Sequence, residues 1–150
     1  MNDAVIVAAR RTPTGKREGM LSGIHPADLS ALVIEDIVST TGIDPNLIDD
    51  VVWGCVTQAG EQTGDIARTA ALSAGLPESV TGVTVDRQCG SSQQALHFVA
   101  AGVASGQYDI AIAGGVESMS RNPMFSSSMG KSPYGTKFKD RYPGDDLNQG

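Results

Sequence analysis

Cys89 stands where a short apolar run, Val83-Thr84-Val85, gives way to a helix-like run of small residues carrying Ala95, Leu96, Val99, Ala100 and Val103. A cysteine at a helix N-terminus meets backbone N–H groups without an intrahelical acceptor and the positive end of the helix dipole. Both favour the thiolate, the reactive nucleophile. Gly90, Ser91 and Ser92 follow, so a second group can approach closely and polar donors lie nearby. The chemistry such a junction offers is nucleophilic attack by sulfur. The competing reading is a small apolar core residue, and the residue pattern alone leaves both open.

The other reactive types are more plainly structural. Cys55 follows a strand-like run and reads as core. Glu117, behind Gly114-Gly115, reads as a buried carboxylate tying loops together rather than as an acid or base. His25 lies in a loop before a helix. His97, two turns into the Cys89 helix, is expected to point away from its mouth. Arg10, Arg11 and Lys16 could attract phosphate, but a solvated loop or a subunit contact is the simpler reading. Gly114-Gly115 lacks the further glycine and following helix of a dinucleotide site.

Composition narrows the class. A chain of 150 residues can bury one core, and 18 glycines with 5% aromatics imply closely packed small side chains. A net charge of −6 argues against non-specific nucleic-acid binding. Two cysteines and two histidines lie far apart in the sequence, so no metal site is expected. No apolar run suits a membrane span and no secretory leader opens the chain, so the expected setting is soluble, cytoplasmic and reducing.

The elements that must position Cys89 alternate. Ala4–Ala9 is a continuous apolar run suited to a buried strand. Pro26 opens a helix whose Leu29, Leu32, Val33 and Ile37 share one face, and Gly42 closes it. Val51–Val56 reads as a strand, and Thr63–Ala74 as a helix stopped by Gly75 and Pro77. Val83–Val85 leads into the Cys89 helix, which Gly106 ends and whose small residues suggest burial between layers. Ile110–Gly115 is a further strand. Strands separated by helix-length segments imply an α/β layered sheet. Residues 121–150, rich in Gly, Pro, Ser and Lys, carry no periodicity and read as irregular.

Four separated blocks occur in order. They are Ala9-Arg10-Arg11-Thr12-Pro13-Thr14-Gly15-Lys16, then Gly54 through Gln58-Ala59-Gly60 to Ala67-Arg68 and Ala74-Gly75-Leu76-Pro77. The cysteine block Val85–Leu96 and Gly114-Gly115-Val116-Glu117-Ser118-Met119-Ser120 complete the set. Together they resemble the N-terminal part of the thiolases, the acyl-CoA C-acyltransferases. The resemblance implies a layered α/β fold, with residues 1–120 as the N-terminal half, a mixed sheet, and a buried helix starting at the nucleophilic Cys89. Residues 121–150 would open an inserted loop region. It also implies that Cys89 carries the acyl group as a thioester and that its backbone N–H donates to the oxyanion. No cofactor is permanently held; coenzyme A and acyl-CoA are substrates, and complete members form homodimers or tetramers.

The family's general-base His, second Cys and Asn–water site lie in a C-terminal half with no counterpart in these 150 residues, which are therefore expected to be inactive in isolation. Two departures stand out. Asp86 replaces the usual Asn; it is placed to cap the helix, yet its charge opposes a nearby thiolate, with Arg87 as an offset. Ser92 replaces a frequent glycine and narrows the approach to sulfur. A 3-oxoacyl synthase of the same superfold, or a non-catalytic half-fold serving as an interaction module, are the alternatives. The Arg-Thr-Pro and Gly-Gly-Val-Glu-Ser-Met-Ser blocks favour thiolase over the synthase.

Overall fold

The computed structural model describes residues 3–144. The regular elements are α1 (Pro26–Thr41), β1 (Asp50–Gly54), α2 (Ile66–Ser73), β2 (Thr81–Val85), α3 (Ser91–Ser105), β3 (Ala111–Gly115) and α4 (Thr136–Arg141), joined by short 3-10 turns. The three strands form one parallel sheet in the order β2-β1-β3, with Gly54 level with both Val85 and Gly115. The mixed sheet expected from the resemblance is not seen among the described strands, which all run the same way.

Alternation along β1 divides the core in two. Val51 and Trp53 face α1 and α2, packing with Ile34, Ile66, Ala67, Ala70 and Ala71. Val52 faces α3, packing with Ala95 and Val99. The central strand is buried on both faces, as a parallel strand between helix layers must be. Its indole N–H would be an orphan donor there; it is satisfied by the Ser30 hydroxyl at 3.1 Å, which itself donates to the Pro26 carbonyl at 2.8 Å.

Helix boundaries follow local chemistry. The His25 ring accepts the Ala27 N–H at 3.2 Å, capping α1, and Gly42 ends it at φ 67, a left-handed conformation that glycine adopts without strain. Thr84 of β2 accepts the Ala67 N–H at the start of α2 and donates to Asp65 at 2.6 Å, so a neighbouring strand caps that helix.

Several expectations are corrected. The run Ala4–Ala9 is extended but joins no ladder among the described residues, and Val5, Ile6 and Val7 are more than two-thirds exposed. Apolar character marks a strand only where another strand supplies its hydrogen bonds. On α1 the buried face is Ala27, Ser30, Ala31 and Ile34 rather than the face bearing Leu32, because α2 approaches closely only over small side chains. Helix α2 begins at Ile66, three residues later than the pattern indicated, because Gly60–Gln62 form a separate 3-10 turn. Among the described residues helix α3 is covered on one side: Ser91, Ala95, Val99 and Gly102 are buried, while Leu96 and Phe98 are exposed. Its Ala95 packs against the sheet, and its Gly102 admits the Tyr108 ring.

The stretch beyond residue 120 is less irregular than its composition implied. Phe138 of α4 stacks between Tyr134, just before the helix, and Tyr142 at its C-terminal end, with ring centroids 4.4 Å and 5.2 Å away. The last six residues, 145–150, lie outside the described part.

Candidate active site

All three strands end at the same level, and the chain leaving each of them converges there. In a parallel α/β sheet, ligands bind outside the carboxyl ends of the strands. The turn Asp86–Gly90, which joins β2 to α3, sits at that end and carries Cys89, an exposed thiol. Helix α3 itself starts at Ser91, so Cys89 precedes its first turn rather than opening it.

The turn is held by its own side chains. Asp86 accepts the Gln88 N–H at 2.8 Å, closing the turn ahead of the helix; it does not cap α3, whose flanking residue Gly90 makes no side-chain cap. The buried Ser91 hydroxyl accepts the Arg87 N–H at 3.0 Å and donates to the Gln88 carbonyl at 2.6 Å. Between these anchors Gln88 has φ 46, a left-handed conformation that costs a non-glycine residue about 1 kcal/mol or more. Strain of this kind persists only where the surroundings over-determine it, and here it immediately precedes the candidate nucleophile.

The seat beneath the turn is made of glycine. A Cβ built on Gly54 would lie 2.5 Å from the Ser91 carbonyl carbon and 2.7 Å from Ser92 Cα. One on Gly115 would strike the Ser92 hydroxyl and come within 2.6 Å of the Gly54 carbonyl. The start of α3 therefore rests directly on the ends of β1 and β3, and only the smallest residue permits that approach.

Cys89 shares a cleft of about 280 Å³ with Arg87, Gln88, Gln93, Gln94 and His97. His97 thus lines the same cleft as the thiol, contrary to the expectation that it points away. A larger groove of about 910 Å³ lies beside it, bounded by Arg10, Lys16, Trp53, Ser92, Leu96 and Met119 among others. Arg10 is engaged by Asp36 at 2.8 Å, and Arg11 donates to the Thr12 carbonyl at 3.1 Å.

Cys55 is of the opposite kind. It is buried, and desolvation first, then the charges of Glu117 and Asp86, push its thiol up to about 12. It stays protonated and inert near neutral pH.

Glu117 does tie loops together, although it is exposed rather than buried. Its carboxylate accepts the Val56 N–H at 2.7 Å, the Thr57 N–H at 3.2 Å and the Gln62 side-chain amide at 3.2 Å. Gln62, fully buried, also donates to the Thr57 carbonyl at 2.8 Å and accepts the Ser118 N–H at 2.7 Å. Nearby, Arg121 is paired with Glu61 through Nε and Nη2 and donates through Nη1 to the Ser22 carbonyl at 3.2 Å. Sequence reasoning missed Gln62 and Ser91. A glutamine in a Gly-Glu-Gln turn carries no signal of burial, and a serine after Cys-Gly reads as a solvent donor.

Comparison with known proteins decides the family. Residues 4–147 match the model of the thiolase N-terminal domain. The chain belongs to the thiolase family. It is 53% identical over 127 residues to the steroid 3-ketoacyl-CoA thiolase FadA6 of Mycobacterium tuberculosis, an alignment covering 85% of this chain and 31% of that protein. It is 47% identical over 133 residues to the beta-ketoadipyl-CoA thiolase of Escherichia coli, covering 88% and 32%. The crystal structure of the Bacillus anthracis acetyl-CoA acetyltransferase superposes with a TM-score of 0.78 at 40% identity, covering 82% of this chain and 31% of that one. The chain spans about a third of the length of these thiolases. Among the described residues, no helix is long and apolar enough to cross a membrane and no cluster suits a metal ion.

Proposed function

We propose that these residues supply the nucleophile of an acyl-CoA C-acyltransferase that cleaves 3-oxoacyl-CoA thiolytically or, in reverse, condenses acetyl-CoA. The observation that carries the reading is the exposed Cys89 on a braced turn at the carboxyl end of the parallel sheet, in a chain that belongs to the thiolase family.

The Cys89 thiolate attacks the ketone carbon, forming a C–S bond and an oxyanion. As the carbonyl re-forms, the bond between the second and third carbons breaks, and its electron pair leaves with acetyl-CoA as an enolate, which takes up a proton. The acyl group remains on sulfur as a thioester. The thiolate of free coenzyme A then attacks that thioester, with the Cys89 backbone N–H as a donor to the oxyanion, and the shortened acyl-CoA leaves as the Cys89 thiolate is regenerated. A thiolate serves both steps because it is a good nucleophile and a good leaving group.

In this reading coenzyme A and its thioesters are substrates, nothing is permanently bound, and the working protein is a cytoplasmic homodimer or tetramer. Residues 1–120 form the nucleophile-bearing half and residues 121–150 open the loop region that shapes the substrate site. Residues 1–150 alone do not turn over, since the proton-transfer groups implied by the family lie elsewhere.

The test is to expose the full-length protein to radiolabelled acetyl-CoA, quench in acid and map the label. An acetyl thioester on Cys89, discharged by added coenzyme A, is expected. Label elsewhere, or none from a folded full-length protein, sinks the reading.

A further inference from the structure

We infer that Glu117 is a positioning residue for Cys89, acting through the four-residue segment Gly54–Thr57 on which both ends of the nucleophile turn rest. The inference depends on the reading of Cys89 as nucleophile and assigns Glu117 no contact with substrate.

The N-terminal end of the turn leaves Val85, whose carbonyl accepts the Cys55 N–H at 3.0 Å. Its C-terminal end enters α3 at Ser91-Ser92, whose backbone lies against Gly54 Cα. Adjacent residues of one segment therefore support both ends of a turn only five residues long. Cys89 has the position it has because Gly54 and Cys55 have theirs.

That segment lies just past the end of β1 and has lost the regular ladder that held the strand. The Gly54 carbonyl accepts the Val116 N–H at 3.0 Å, and the next two amides, Val56 and Thr57, are both directed at the Glu117 carboxylate. No other side chain reaches these two amides among the bonds of the described residues. A carboxylate suits the task because it accepts on every lone pair and donates nothing, so it gathers three N–H donors of the connection between β1 and α2. The Gln62 side chain, fully buried, fixes it from behind. Strand ends are the places where sheets fray, and bonds to a charged acceptor are the strong ones. Glu117 thus pins the exit of β1 to the exit of β3, at the level where α3 is seated on Gly54 and Gly115.

Substituting glutamine makes the dependence testable without changing shape. Whichever carboxylate oxygen becomes an amide nitrogen, at least one N–H then faces another donor, and the segment must shift to relieve it. The two cysteines separate the possible outcomes. Cys55 is buried within the pinned segment and reports opening of the fold; Cys89 is exposed and reports the geometry of the turn.

The full-length protein and its Glu117→Gln and Glu117→Asp variants are treated with iodoacetamide near neutral pH. Modification at each cysteine is followed by mass spectrometry, counting only molecules in which Cys55 remains unmodified. The expected result is a fall of about threefold or more in the Cys89 rate for Glu117→Gln, as the sulfur leaves its place by the helix terminus. Glu117→Asp, which keeps the acceptor, is expected to recover part of that loss. An unchanged Cys89 rate overturns the inference, including the case in which Cys55 labelling alone rises and Glu117 is merely a staple of the fold. The wild-type rate relative to the same thiol in denaturant tests the nucleophile separately: equality there refutes the function and leaves the variant ratio readable.

Discussion

Gly54→Ala is the sharpest test of how the site is built. The new Cβ would fall 2.5 Å from the Ser91 carbonyl carbon and 2.7 Å from Ser92 Cα, both backbone atoms that cannot rotate away. Ordinary carbon contacts begin about 1 Å farther out, so the start of α3 must lift by roughly that distance. Overpacking of this kind costs about 1–3 kcal/mol, and the upper half of the range applies because backbone rather than a side-chain tip must move. At roughly 2–4 °C per kcal/mol, the melting temperature falls by about 4–12 °C. A displacement of about 1 Å at a catalytic group costs on the order of a hundredfold in rate. The prediction is that thiolytic turnover of the full-length protein falls about a hundredfold while the protein remains folded at room temperature. Gly23→Ala is the control, since a Cβ there meets nothing within 4 Å. If Gly54→Ala matches that control in melting temperature and turnover, the seating of α3 on Gly54 does not govern Cys89.

Further perturbations probe other parts of the fold. Gly102→Ala would drive a Cβ into the Tyr108 ring, 2.6 Å from its Cε2, at the end of the sheet away from the thiol; a loss of about 1–3 kcal/mol by denaturant melting is expected, with Cys89 alkylation unchanged. Tyr108 donates to Asp50 at 2.8 Å, and that bond, with burial and the Asp50 charge, raises the phenol above its usual 10.0. Its contribution is therefore complete below about pH 10 and lost as pH rises through the raised folded value. Tyr108→Phe should lower stability at neutral pH by about 1.5 kcal/mol and close the gap to wild type in strong alkali, measured by urea melts across pH. Glu61 is held below its usual 4.5, chiefly by its hydrogen bond to Arg121. That contribution is present above pH 4.5 and lost as pH falls through the lowered folded value, so Glu61→Gln should flatten the acid limb of the stability profile; an unchanged limb counts against the pair. Cys55, with its thiol at about 12, should resist iodoacetamide near neutral pH until denaturant is added, and early labelling would show that the end of β1 is open.

Much of this protein was legible in one dimension. Gly42, Gly75 and Gly106 mark chain reversals because a positive φ is a local demand that glycine meets wherever it stands. The run that became β1 was readable because a strand buried on both faces is continuously apolar, β2 and β3 were marked by shorter apolar stretches although they are only partly covered, and the strand–Cys–helix junction was readable because a helix terminus is itself a local structure. The order of the strands, the glycine seat under α3 and the capture of the Val56 and Thr57 amides by Glu117 were not. Each joins residues far apart in the chain, and no local pattern records which distant acceptor an amide will find. The run Ala4–Ala9 shows the same limit from the other side: its residues have the character of a strand, but becoming one requires a neighbour, and none of the described residues provides it. The sequence by itself singled out Cys89 as the candidate nucleophile and marked the elements that flank it. Only the tertiary structure decided what holds that residue in place, because support for a turn comes from the chain ends packed beneath it.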